Sequence, residues 1–247
     1  MEDKIREAKE IIDNASNVMV LTGAGISAES GIPTFRGDEG LWKQYRPEDI
    51  ATPQAFLRDQ RFVWEWYDMR RQTIKDARPN PGHYALLELE NQKSKFTLVT
   101  QNIDGLHRIV GSKNVIEMHG NIWQIRCTKC KRIEQNYDVP LKEIPPTCTN
   151  CGAITRPNVV WFGEIIPMTL IDKALIAIEG CEVMLIVGTS GMVEPAASMG
   201  LVAKQTGKTV IEVNTNLTYN SQLYDLTILG RSGEILPLFC KTAEMYS

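Results

Sequence analysis

Four of the six cysteines carry the plainest chemical signal in the chain. Cys127-x-x-Cys130 and Cys148-x-x-Cys151 are separated by residues 131–147, the spacing of a four-cysteine zinc site. Each pair sets two thiolates on one tight turn, and two such turns complete a tetrahedron. Four sulfur ligands close the shell, so the expected metal is one structural Zn²⁺. The segment is polar, which argues against four unrelated core thiols. A redox role for one pair would leave the other unexplained. Cys181 and Cys240 stand alone and read as small core residues.

A second signal is Gly23-Ala24-Gly25-Ile26-Ser27-Ala28, directly after the apolar run Asn17–Thr22. It fits G-x-G-x-x-[G/A], the turn that lets a backbone approach a pyrophosphate. A tight strand-to-helix turn without a ligand remains the alternative. No acidic residue ends a second strand about 20 residues on, where a dehydrogenase holds the ribose; Glu39 falls in a loop-like stretch. Of the three histidines, His119 follows the strand-like Val115–Met118 and could face a crevice as a general base. His83 and His107 lie in helix-like segments and read as structural.

These groups need elements to hold them. Helical periodicity is expected over Asp3–Asn14, Pro53–Lys75, Pro81–Asn91, Met168–Glu179, Pro195–Gln205 and Gly233–Met245, with a long ordered loop over Glu29–Asp49. Strands are expected at Asn17–Thr22, Phe96–Thr100, Val115–Met118, Asn158–Phe162, Val183–Val187 and Thr209–Val213. Strands alternating with helices predict an α/β fold with a parallel sheet covered on both faces. Ligands in such sheets sit beyond the carboxyl ends of the strands. Those ends carry Gln101-Asn102, Gly188-Thr189-Ser190 and Asn214. Residues 122–155 differ in composition and read as an insert, so the zinc module is expected to scaffold rather than to bind nucleic acid.

The chain has 247 residues and a net charge of -3, with 27 basic and 30 acidic residues. That argues against a broad electrostatic footprint for nucleic acid and leaves a local patch open. No secretory leader and no apolar run long enough for a membrane span are visible. A cytoplasmic location is the expectation.

The chain resembles the sirtuin family across nearly its whole length. The matching pieces run in family order. They are residues 23–33 (GAGISAESGIP), Phe35-Arg36-Gly37 and Thr100-Gln101-Asn102-Ile103-Asp104. His107, His119-Gly120, the two cysteine pairs, Val160-Trp161-Phe162-Gly163-Glu164, Gly188-Thr189-Ser190 and Val213-Asn214 follow. The resemblance implies a Rossmann-like domain over about 1–34, 76–121 and 157–247. It implies a small domain from 35–75 (helical) and 122–156 (zinc ribbon). NAD and an acylated-lysine protein or peptide would meet between them. NAD would be consumed: the acyl oxygen attacks the ribose carbon, nicotinamide leaves, and the acyl group ends on ADP-ribose.

Roles follow by position. His119 would be the general base and Asn102 would contact the ribose and an ordered water. Asp104 would hold the carboxamide, with Phe35 and Arg36 on a covering loop. Gly23, Ala24 and Gly25 would meet the pyrophosphate, and Ser190, Asn214 and Ser232 the adenosine half. The resemblance also sets Ser27, Glu29, Thr34, Trp42, Gln101 and Ile103 along the cofactor, with Gly188, Thr189, Thr215 and Asn216. Val160–Glu164 would pair with the substrate backbone as an added strand. Thr34 stands where the family's commonest form has Asp, which counts against efficient deacetylation. Tyr67 and Arg70 match the Tyr-x-x-Arg pair of the class that removes succinyl and malonyl groups. A guanidinium and a phenol can clamp a carboxylate together; from the residues alone, a solvated Arg70-Arg71 pair beside a core tyrosine is the plainer reading. A monomer suffices, and chromatin proteins are conceivable substrates without any direct nucleic-acid site. Dehydrogenation, nucleic-acid binding and ADP-ribosyl transfer to protein are the competing readings.

Overall fold

The computed structural model describes residues 1–35 and 40–240, so Arg36 and Glu39 lie outside the described residues. Its strands are β1 (Asn17–Thr22), β2 (Lys95–Thr100), β3 (Val115–Glu117), β4 (Gly120–Cys127), β5 (Ile133–Gln135), β6 (Thr155–Val159), β7 (Val183–Val187), β8 (Thr209–Asn214) and β9 (Leu226–Leu229). Six of them form one sheet in the order β3-β2-β1-β7-β8-β9, and every pairing within it is parallel. The chain builds outward from β1 to one side, then returns to lay β7 on the other. That reversal is a topological switch point, and a crevice opens beyond the carboxyl ends of β1 and β7.

Continuous apolar runs make this sheet because both its faces are covered. In β1, Val18 and Val20 enter one core cluster while Met19 and Leu21 enter another, the period of two that a strand imposes. Helices α1 (Glu2–Asn14) and α6 (Pro81–Gln92) cover the first face, with α1 burying Ala8 and Ile12. Helices α8 (Met168–Gly180) and α9 (Ala196–Gln205) cover the second through Ala174, Ile178, Met199 and Ala203. Each Ile or Met among them, taken fully from water, stabilises the fold by about 1.5–3 kcal/mol, and each Ala by about 1 kcal/mol or less.

A second sheet, β5-β4-β6, is antiparallel. It packs with α3 (Pro47–Ile50), α4 (Pro53–Arg58) and α5 (Gln60–Lys75) around a separate core. Trp64, Trp66 and Trp161 are buried there, and Trp42 and Trp123 pack against its edge. These are all five tryptophans of the chain.

Several boundaries differ from the sequence expectation. The single helix expected over Pro53–Lys75 is two. Thr52 Oγ1 accepts from Ala55 N at 3.0 Å to start α4, and Asp59 Oδ1 accepts from Phe62 N at 2.9 Å to start α5. Asp59 is extended (φ -152, ψ 92), so the first helix must end where the second is capped. The loop expected over Glu29–Asp49 contains a 3₁₀ turn at Leu41–Lys43 and the start of α3. The helix expected from Gly233 shrinks to α10 (Ser232–Ile235) and a 3₁₀ turn at Leu236–Phe239. Pro237 cannot donate to a continuing α-helix, and residues 241–247 lie outside the described residues. The strand expected at Asn158–Phe162 begins earlier and ends at Val159, because a turn with Gly163 at φ +84 follows. Two further single-turn helices, α2 (Gly25–Ala28) and α7 (Leu106–Ile109), follow β1 and β2.

Candidate active site and metal centre

The crevice at the switch point is a cavity of about 600 Å³ between the two sheets, within the range of small-molecule sites. Gly23, Ala24 and Gly25 line it after β1, Gln101, Asn102 and Ile103 after β2, and Gly188, Thr189 and Ser190 after β7. Asn214, Thr215 and Asn216 line it after β8. Thr34, Phe35, Trp42 and Tyr67 close it from the helical side, and Val160–Glu164 from the smaller sheet. Six strand-end and loop positions also lie on the wall without having been singled out: Ala51, Val159, Val193, Glu194, Leu217 and Thr218. Trp66 and Ile166 join them. These positions are scattered over loops, β6 and α5 and mix apolar side chains with Glu194 and Thr218, so they share no spacing signal that sequence reading could catch.

The glycine turn does something other than its motif suggests. Gly23 N donates to Val187 O at 2.9 Å and Gly25 N to Gly188 O at 2.8 Å. Those two N–H groups lock the β1 loop to the β7 loop and are not available to a phosphate. A Cβ on Gly25 would sit 2.7 Å from Gly188 Cα. The glycines therefore permit a backbone-to-backbone approach, while the Ala24 N–H makes no such bond to the β7 loop. The following helix is a single turn, too short to supply much of a dipole.

His119 lines the cavity just beyond β3, and its Nδ1 lies 3.0 Å from Gln101 O. A carbonyl only accepts, so Nδ1 carries the proton and Nε2 keeps its lone pair. Nε2 has no hydrogen bond among the described residues and is open to the cavity. Burial pushes the His119 pKa down and the Gln101 hydrogen bond pulls it partly back. The net downward shift leaves the imidazole neutral near pH 7, the form a general base requires.

Asn102 is anchored from below. Its Nδ2 donates to Gly23 O and to Ser27 Oγ, both at 3.1 Å. Ser27 in turn donates to Asp104 Oδ2 at 2.8 Å, and Leu106 N donates to Asp104 Oδ1 at 2.8 Å. Ser27 and Asp104 thus form a buried layer behind the wall rather than part of it. Burial raises the Asp104 pKa against the pull of Leu106 N–H, Ser27 and Arg70. Gln101 Nε2 donates to Thr189 Oγ1 at 2.9 Å and Asn214 Nδ2 to Thr189 O at 2.8 Å, tying the β2, β7 and β8 loops together.

Glu29 and Ser232 are brought to each other, not to the cavity. Ser232 Oγ and Gly233 N donate to Glu29 Oε2 at 3.1 and 2.7 Å. Of the other histidines, His107 sits beside Thr22 Oγ1 at 3.0 Å, and His83 Nδ1 accepts from Asn80 N at the start of α6. Both are buried.

Tyr67 and Arg70 share one face of α5, as their spacing requires. Trp161 Nε1 donates to Tyr67 Oη at 2.9 Å, which leaves the phenolic proton free for a further acceptor. Burial pushes the Tyr67 pKa up to about 12, so it stays a donor. Arg70 is 4% exposed, with its guanidinium 5.6 Å from the Phe35 ring centroid. It makes no hydrogen bond or ion pair among the described residues, and it lies just behind the cavity wall. Arg71 points the other way. It is fully buried and donates to Ile122 O and Asn136 Oδ1 in the smaller sheet. The solvated arginine pair of the plainer reading is therefore not what the fold holds.

The four expected cysteines converge, with all four sulfurs within 4.8 Å of one another. Cys127 Sγ lies 3.5 Å from Cys151 Sγ, and Cys130 Sγ 3.7 Å from Cys148 Sγ. A Zn–S tetrahedron sets sulfurs about 3.8 Å apart, so the donor set fits Zn²⁺ with no position left over for a substrate.

The fold and site define a class: an α/β protein with a ligand crevice at the switch point of a parallel sheet and a small, separate four-cysteine module. Comparison with known proteins narrows it. The family model described as the Sir2 family matches residues 23–195. An NAD-dependent protein deacylase of Aquifex aeolicus (strain VF5) is 52% identical over 210 residues, which cover 85% of this chain and 88% of that protein. A solved Sir2 homologue mutant in complex with ADP ribose is 42% identical, covers 94% of each chain and superposes with a TM-score of 0.91. A Sir2–p53 peptide–NAD⁺ structure is 30% identical, covers 94% of this chain and 95% of that one, and gives a TM-score of 0.85. The chain belongs to the Sir2 family.

Proposed function

We propose that this protein is an NAD-dependent protein-lysine deacylase whose preferred acyl groups end in a carboxylate, succinyl or malonyl. The neutral, cavity-facing Nε2 of His119 carries the deacylase reading, together with the deacylase relatives. The Arg70 guanidinium, which makes no hydrogen bond or ion pair among the described residues and sits near the Tyr67 phenol, carries the acyl preference.

NAD bound in the crevice supplies the ribose carbon that accepts the acyl oxygen as nicotinamide departs, so it is consumed. His119 Nε2 takes the proton of a ribose hydroxyl. Asn102, whose Nδ2 is spent on Gly23 O and Ser27 Oγ, offers its Oδ1 as acceptor to the ribose and an ordered water. Phe35, Trp42 and Trp161 shield the reacting atoms from bulk water. The loops after β7 and β8 receive the adenosine half. Asp104 reaches the carboxamide once Ser27 releases it. Gly163 N–H and the carbonyls of Val160 and Phe162 receive the substrate backbone. The N–H groups of Val160, Trp161 and Phe162 already donate to His119 O, Glu164 and Ala51 O. Added-strand pairing is thereby reduced to these few groups. Arg36, outside the described residues, belongs to the covering loop in this reading.

The reading keeps an NAD-binding domain over 1–34, 76–121 and 157–247, and a small domain from 35–75 and 122–156. It keeps a cytoplasmic monomer acting on acylated proteins, with acylated chromatin proteins among the candidate substrates. Among the described residues, no helix is long and apolar enough to cross a membrane.

The test is incubation with NAD and matched acetyl-lysine and succinyl-lysine peptides, following nicotinamide release and peptide mass. Succinyl turnover should exceed acetyl turnover, and Arg70→Met should cut it about tenfold to a hundredfold, the worth of a charge-assisted clamp. Preference for the acetyl peptide would remove the carboxylate reading and leave the deacylase. Nicotinamide release from neither would remove both.

A further inference from the structure

A second cavity, of about 360 Å³, lies on the other side of Trp161, between α4 and the smaller sheet. Trp161 and Glu164 line both cavities and so form the partition between them. Pro53, Phe56 and Trp161 give it an apolar floor, and Leu57 stands at its rim 79% exposed.

Its charges do not balance. Arg126 and Arg156 are directly opposite each other in the β4–β6 ladder, an arrangement that repels unless an anion intervenes. One carboxylate reaches them. Glu164 accepts from Arg156 Nη1 at 2.5 Å and Nη2 at 2.8 Å, so Arg156 takes both oxygens. Arg156 also stacks on Trp161, 3.4 Å from the ring centroid. Arg126 is half-buried and makes no hydrogen bond or ion pair among the described residues. Lys131 gives its ammonium, among the described residues, only to Thr128 O. Three cations against one carboxylate leave two positive charges in this groove, in a chain whose net charge is -3.

We propose that this groove is a specificity subsite for an acidic side chain of the acylated protein substrate, with Arg126 as the cation that receives it. This rests on the deacylase reading. The substrate backbone running past Phe162 and Gly163 is led to Glu164, at the partition. An Asp or Glu flanking the acyl-lysine then reaches over it to Arg126, while its aliphatic stem lies on Phe56 and Pro53. A second anion for the cross-strand arginine pair, beside Glu164, is thus supplied by the substrate, which makes the subsite select for charge rather than merely tolerate it.

The experiment uses acyl-lysine peptides in which one Asp replaces one Asn at each flanking position in turn. The ratio of kcat/KM for the acidic and neutral peptides is read for the wild-type protein, Arg126→Gln and Arg126→Glu, each with zinc content and melting temperature checked because Arg126 adjoins Cys127. At one position the wild-type ratio should be about fivefold to tenfold, the worth of a partly exposed charge-assisted contact. It should fall to about one in Arg126→Gln and invert in Arg126→Glu. A ratio that is flat across positions, uniform at all of them, or retained in Arg126→Gln overturns the proposal. If no peptide is turned over, the deacylase reading has failed separately, and fluorescence anisotropy of the same labelled peptides decides the groove. Preference for one acidic position, lost in Arg126→Gln, supports it; equal binding overturns it.

Discussion

Alanine at Gly25, Gly188 and Gly207, one at a time, separates two costs that coincide where the β1 and β7 loops meet. Gly207 has φ +76 and open space around it, so Gly207→Ala carries only the left-handed cost. That cost is roughly 1–2 kcal/mol, offset by up to about 1 kcal/mol from a less flexible unfolded chain. Gly25 has no positive φ, but its Cβ would lie 2.7 Å from Gly188 Cα and 2.8 Å from Gly188 O. Backbone cannot swing aside as a side chain does, so the cost is overpacking, about 1–3 kcal/mol. Gly188 bears both, with φ +59 and a Cβ 2.6 Å from Ile26 N. The expected losses are about 0.5–1 kcal/mol for Gly207→Ala, about 1–2 for Gly25→Ala and about 2–4 for Gly188→Ala. Urea titration followed by far-UV circular dichroism reads them as shifts of midpoint at constant slope. Calorimetric titration with NAD should show weaker binding in the two crevice variants only, because both loops line the cavity. A Gly25→Ala variant as mild as Gly207→Ala, with undiminished NAD binding, would refute the view that these glycines exist for backbone approach.

Burial holds the pKa of all three histidines below its ordinary value, His83 at about 4. The unfolded chain therefore binds more protons than the native one as pH falls through about 6.5, and stability declines from there. His83 alone accounts for about 3 kcal/mol between pH 6.5 and 4; midpoints in urea that stay level over that window would contradict this. The acid limb of kcat/KM should lie below pH 6.5, since His119 is shifted down, and a limb above it would exclude His119 as the base. Metal analysis should return one zinc per chain, and a chelator strong enough to remove it should lower the melting temperature; Cys148→Ser should do the same without chelator. Arg71→Met leaves the buried Ile122 carbonyl without its donor and should cost about 2–4 kcal/mol, against under about 1 kcal/mol if Arg71 merely fills space.

Much of this was legible from residue types. The cysteine spacing gave the metal centre, since a tetrahedral shell admits few patterns. The continuous apolar runs at β1 and β7 gave a sheet buried on both faces. What escaped was decided by partners remote in sequence. Asp59 looks like one more polar residue until Phe62 N donates to it and divides a helix. The glycine motif suggested phosphate N–H groups, but Val187 and Gly188 carbonyls claim two of them. Glu29 and Ser232, 203 residues apart, satisfy each other across the fold, which no local pattern announces. Val160–Phe162 read as strand by composition, yet His119, Glu164 and Ala51 use up its donors.

The crowding of every tryptophan around the smaller sheet has an optical consequence. Indole emission from this protein is a report on one half of it: the zinc module, α5 and the segment at Trp161. The six-stranded sheet contributes to the far-ultraviolet dichroism but not to that emission. Unfolding followed by the two signals tests whether the halves melt as one cooperative unit. Trp42, Trp66 and Trp161 also line the cavity, so quenching by a bound ligand would read occupancy from the wall itself, with no label added.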